Sequence, residues 1–294
     1  MGIVTPIRSL LSCLSDALSQ LSEDFMNAVK RLTNSGQEKI HFKLNSDSGR
    51  IITPSVNENC VITLGESFLC YVWAMCYYGF VYFDEAMVPS IEIALGKLKH
   101  EDHNYSLAEE ASALRKWALS ICPGYVDWPQ ELPSPSRCTN KYIVPTCVHF
   151  VHAVSFFIEH EIAHIYLKHF EDNREPLEKE IEADKQAIEW HMNSEVGKSF
   201  SSKMGVLLGL CSMLALDSQS DKPHNNHPSM YSRILRYIDS LDDENKEPYY
   251  QVFALYIWDW DKQFCVDNDF DFDTTDAKSF VIGVLIQMEV TFNK

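Results

Sequence analysis

Through most of the chain, apolar residues recur every three to four positions, broken by short polar stretches, the period of helices with at least one buried face. The opening segment, MGIVTPIRSLLSCLSDALSQL, reads as an amphipathic helix and not a signal peptide, because Arg, Ser and Asp interrupt its apolar run. Between Lys39 and Leu64 the period changes. KIHFKL, RIIT and CVITL are short β-branched runs separated by Asn, Ser, Gly and Pro, which predicts a small antiparallel β-meander. Helices are expected near 66–86, 107–121, 146–170, 177–192, 200–216, 228–241, 249–264 and 278–292. Ser106 and Glu109 have the spacing of a capping box. Ser67 to Phe83 is uncharged, but 17 residues are few for a bilayer span, so it reads as a buried core helix and no transmembrane segment is expected. Residues 122–145 carry five prolines without periodicity, a lid or binding loop or else a surface crossover. The expected fold class is α+β, mainly helical with one small sheet. Its regions are 1–64 (helix and meander), 65–241 (helical core) and 242–294 (C-terminal helices), read as one continuous domain.

Composition narrows the partners. A hydrophobic fraction of 46% excludes wholesale disorder, and a net charge of -17 repels phosphate backbones and anionic lipid, so no nucleic acid is expected. Nine cysteines, an odd number without CxxC spacing, argue for buried reduced thiols and a cytoplasmic location.

The chemistry is concentrated in one helix. His160-Glu161-Ile162-Ala163-His164 is an HExxH: four residues apart on a helix, both imidazoles point from one face at a single metal ion. Glu161, beside that face, can reach a metal-bound water and act as general base. The flanking HAVSFFIEHEIAHIYLKHF is apolar, and burying two histidines and a glutamate without partners costs several kcal/mol, a cost that a metal removes. In the next helix Glu180-Ile-Glu-Ala-Asp184 sets two acids one turn apart. A hairpin folding it back offers Glu180 as third ligand and Asp184 as acceptor for the outer N–H of His160 or His164. Glu178 and Glu182 read as weaker ligand candidates than Glu180. Three protein ligands plus a water is the arrangement of catalytic zinc. A third element, His227-Pro228-Ser-Met-Tyr231-Ser-Arg233, has proline in the first turn of a helix, with Arg233 further along it.

HExxH, ExxAD and HPxxxxR in this order resemble the M48-type gluzincin metallopeptidases. The Tyr71-Val-Trp73-Ala, Lys116-Trp117-Ala and Trp128-Pro129 blocks, HEIAHIYLKH, IEADKQAIEW and HPSMYSRI resemble, more narrowly, the Lit group of phage-exclusion metallopeptidases. That resemblance covers about residues 60 to 240. It implies a gluzincin-type domain binding Zn2+ through His160, His164 and Glu180, with Glu161 as general base. It places His227 near the site as transition-state donor or fourth ligand; Asp184 and Arg233 are read, apart from the resemblance, as standing behind the ligands. It also implies cleavage of translation elongation factor Tu when a phage-derived trigger peptide is bound to that factor. Two other readings compete: a regulatory metallopeptidase with another cytosolic target, such as a repressor, and a non-catalytic interaction module braced by metal.

His149, His152 and His169 read as packing residues, and His191 as a packing residue that could stand behind the ligands. Asp267 to Asp273 resembles a calcium loop, but Phe272 stands where Gly is needed and Lys278 where the bidentate Glu is needed, so it reads as a solvated acidic loop. No GxSxG elbow or phosphate-binding glycine loop is present.

Overall fold

A computed structural model of the chain describes residues 4–34, 40–217, 228–264 and 276–292. The acidic segment around Asp267 to Asp273, Cys265 and His227 lie outside the described residues. After a 3-10 turn (Pro6–Leu10) come α1 (Leu11–Ser19) and α2 (Glu23–Asn34), then strands β1 (His41–Asn45), β2 (Ser55–Val56) and β3 (Val61–Gly65). The rest is helical: α3 (Glu66–Tyr82), a π turn (Phe83–Met87), α4 (Val88–Ala94), α5 (Ser106–Ser120), α6 (Ile143–Tyr166), α7 (Pro176–Met192), α8 (Phe200–Asp217), α9 (Met230–Ser240), α10 (Glu247–Phe264) and α11 (Ala277–Phe292). The fold class is the mainly helical α+β that the hydrophobic period predicts.

The sheet departs from the expected meander. Its order is β1-β3-β2, with β1 parallel to β3 and β2 antiparallel to it. RIIT does not join it: Ile51 N–H donates to the Cys122 carbonyl, and Ser48 accepts from Tyr125 N–H. Those bonds carry the chain across the sheet, so β2 pairs on the far side of β3. The β2–β3 turn is closed by Asn57, whose Oδ1 accepts from the amides of Asn59 and Val61.

α6 is surrounded by other helices, and 18 of its 24 residues are buried. Its all-round apolarity follows from that position. Among the described residues it is the one helix long and apolar enough to cross a membrane, and 72% of its apolar window lies inside the fold. α3 is likewise a core helix, fully covered from Phe68 to Tyr77. α8 approaches α6 closely because it offers glycine at two successive turns. A Cβ on Gly205 would stand 2.6 Å from the His149 carbonyl oxygen, and one on Gly209 2.6 Å from Ala153 Cβ. One hydrophobic cluster runs from Ile7 to Leu285.

Two local expectations fail. The Ser106–Glu109 capping box is not made; α5 begins at Ser106 without a side-chain cap on its first turn, and Asn104 Oδ1 accepts the Ser106 amide instead. The helix expected over 146–170 starts earlier, at Ile143, and ends earlier, at Tyr166. Pro145 is tolerated because the first turn of a helix needs no amide donor there. The proline-rich loop is fastened to the core: Trp128 packs on Trp73 and Trp117, and Arg137 donates to the carbonyls of Gln130 and Leu132.

Candidate metal centre

α6 carries His160, Glu161 and His164 in its last two turns, where buried Ala163 leaves room for the neighbouring helix. α7 returns against it after a short turn. Pro176 opens α7 from an extended Glu175, and the fully buried Ala183 and Ala187 let the two backbones come close. That approach delivers Glu180. His160 Nε2 lies 3.3 Å from Glu180 Oε2, His164 Nε2 3.5 Å from Glu180 Oε1, and the two Nε2 atoms 3.2 Å apart. Three donors bonded to a tetrahedral ion at about 2.0–2.1 Å stand about 3.3 Å from one another. The two imidazole nitrogens stand at that spacing, each has a Glu180 oxygen close to it, and the three residues could hold a metal ion.

Charge is balanced around them. Asp184 Oδ1 sits 3.0 Å from His160 Nδ1, and Arg233 grips Asp184 with both Nε (2.9 Å) and Nη2 (2.5 Å). Burial works against a charge on Asp184, but Arg233 and His160 overrule it and hold the carboxyl well below the usual carboxylate range. Burial likewise opposes a charge on His160; hydrogen bonds to Asp184 and Glu180 outweigh it and raise this imidazole to about 9. His164 goes the other way, pushed down to about 3 by burial and by its charged neighbour His160. Without metal, the pair thus carries one positive charge, on His160, and His164 is neutral. Burial raises Glu161, and edge strand β2 packs against the helix that carries it.

His160, His164 and Glu180 therefore converge as the spacing predicts. Of the two acceptor choices open for Asp184, the fold takes His160. Arg233, expected near the site, meets Asp184 directly. His191 does not join the cluster. Its Nδ1 is 2.7 Å from Glu159 Oε2 and its Nε2 2.8 Å from Ser202 Oγ, a fully buried link between α6, α7 and α8.

Sequence reasoning missed the outer neighbour of His164. His169 Nδ1 lies 2.9 Å from His164 Nδ1, and its Nε2 3.1 Å from Glu182 Oε2, which also accepts from Arg174. The available signal was a histidine just past a helix end, five residues after a ligand.

The cell death peptidase of Escherichia coli (strain K12) is 23% identical over 261 residues, spanning 83% of this chain and 84% of its own. No solved structure matches the chain. The family model described as peptidase U49 matches residues 62–254, a span holding the sheet's central strand, α6, α7 and α9, and with them each group of the cluster: by that match the chain belongs to the peptidase U49 family.

Proposed function

We propose that the chain is a zinc-dependent endopeptidase of the phage-exclusion type, acting on translation elongation factor Tu once a phage-derived peptide triggers it. Membership of a peptidase family supports the reaction class. The name of its relative, a cell death peptidase, supports the cellular outcome. The observation that carries the reading is the convergence of His160, His164 and Glu180, with the two Nε2 atoms 3.2 Å apart and each within 3.5 Å of a Glu180 carboxylate oxygen, and Glu161 beside them.

His160, His164 and Glu180 would hold the ion, which when bound acidifies a water molecule and polarises the scissile carbonyl. Glu161 takes the proton of the attacking water and delivers it to the leaving amine. Its burial suits the task, because desolvation raises the carboxyl and makes it a stronger base. Asp184, braced by Arg233, fixes the ring of His160. His227 remains the proposed donor to the oxyanion or a fourth ligand. Edge strand β2 gives an extended substrate segment a place to add, since it packs against α6.

The test is digestion of purified elongation factor Tu, with and without a phage capsid peptide, by the zinc-loaded chain. Wild type is expected to cut it at one new terminus. Glu161→Gln is expected to keep its zinc and lose at least about a hundredfold in rate. A fully active Glu161→Gln protein would refute the mechanism. Cleavage of other lysate proteins, with elongation factor untouched, would leave the chemistry and replace the target.

A further inference from the structure

We propose that His169 is a positioning residue for the metal centre: it fixes His164 in the tautomer that presents Nε2 to the ion. The inference rests on the metal reading above and extends it to a residue outside the ligand set.

The hydrogen-bond directions follow by elimination. A His164 that offers Nε2 to a metal must carry its proton on Nδ1. The atom facing that proton, at 2.9 Å, is His169 Nδ1, which must then be bare and accept. His169 therefore carries its proton on Nε2, where the carboxylate of Glu182 waits at 3.1 Å and can only accept. Arg174 Nη1 holds that carboxylate in place at 2.7 Å. Each contact thus has one donor and one acceptor, and the sequence of bonds can run in only one direction. His160 has the matching support in Asp184 and Arg233, so each ligand imidazole is held at its outer nitrogen.

The backbone is built for this contact. α6 ends in a Schellman motif: the His169 amide donates to the His164 carbonyl and the Lys168 amide to that of Ile165. The residue that turns the chain back is Lys168, at φ 57, where glycine is the usual occupant. A lysine there is strained, and is tolerated where surrounding bonds fix the turn. Lys179 Nζ supplies two of them, to the carbonyls of His169 and Asp172. The turn lays the 4%-exposed His169 ring against His164.

The experiment measures zinc affinity by competition with a chromophoric chelator, using the full chain. His169→Leu is expected to bind about 10–100-fold more weakly, the usual loss when a ligand's outer partner is removed. His169→Asn, whose Oδ1 replaces the accepting nitrogen, is expected to stay within about threefold of wild type. A folded His169→Leu protein with wild-type affinity overturns the proposal while leaving the metal reading intact. If His169→Leu fails to fold, the surface variant Glu182→Ala carries the test: a loss of threefold or more supports the relay, and unchanged affinity defeats it. A wild type that binds no zinc defeats the metal reading instead. Two-bond 15N–1H correlations on the metal-free, histidine-labelled chain then decide the tautomers. A proton on His164 Nδ1 and on His169 Nε2 supports the assignment, and the reverse sinks it.

Discussion

His160 governs how the centre responds to pH. Held at about 9 in the metal-free chain, it carries a proton at neutral pH that a metal must displace. His164, held near 3, is already neutral. One proton is therefore released per metal bound. Apparent affinity falls as pH drops below about 9, by about tenfold per unit, and levels off above it. The same proton stabilises the metal-free fold: with the folded value above the usual 6.5, that contribution is complete below 6.5 and lost as pH rises through about 9. Calorimetric titrations in buffers of different ionisation enthalpy count the proton directly. Zero protons released at pH 7 would contradict the assignment.

At the scale of elements, the ligands are placed by how α6, α7, α8 and α9 are spaced. α8 reaches α6 through Gly205 and Gly209, so Gly209→Ala drives a methyl into Ala153 and separates the two helices. The expected cost is about 1–3 kcal/mol in urea unfolding, the penalty of overpacking a filled core. α9 reaches α7 through Arg233 and Asp184. Replacing Arg233 by Met strands a buried carboxylate, an expected loss of about 3–5 kcal/mol with zinc affinity falling alongside. Replacing Asp184 by Leu as well is expected to restore much of the stability and none of the affinity, since an apolar pair fills the space but cannot orient His160. Equal behaviour of the single and double variants in both measurements would contradict this division of labour. Helix periods were legible at this scale because burial leaves its mark on every turn: α6 and α7 lie within a few residues of where the pattern puts them. Strand direction was not legible, because alternation reports which face is buried and is silent on which neighbour a strand chooses. The tie of Ile51 to the 122–125 segment, remote in sequence, decided that β1 runs parallel to β3.

Across the whole molecule, a metal bound only by the folded chain adds stability by mass action. At a hundredfold excess over the dissociation constant this is about 2.7 kcal/mol. Adding a chelator is expected to lower the melting temperature by about 5–10 °C, and added zinc to restore it. A melting curve indifferent to both would leave the histidine cluster without an ion. The sequence by itself determined the helical class, the buried HExxH helix and the acids that face it, since these follow from spacing along one rod and from the cost of burying polar groups. Tertiary structure alone decided which imidazole Asp184 meets, that Arg233 closes on it, and that His169 stands behind His164. Those outcomes depend on helix separation and on one left-handed residue, Lys168, and neither has a local period for a sequence to display.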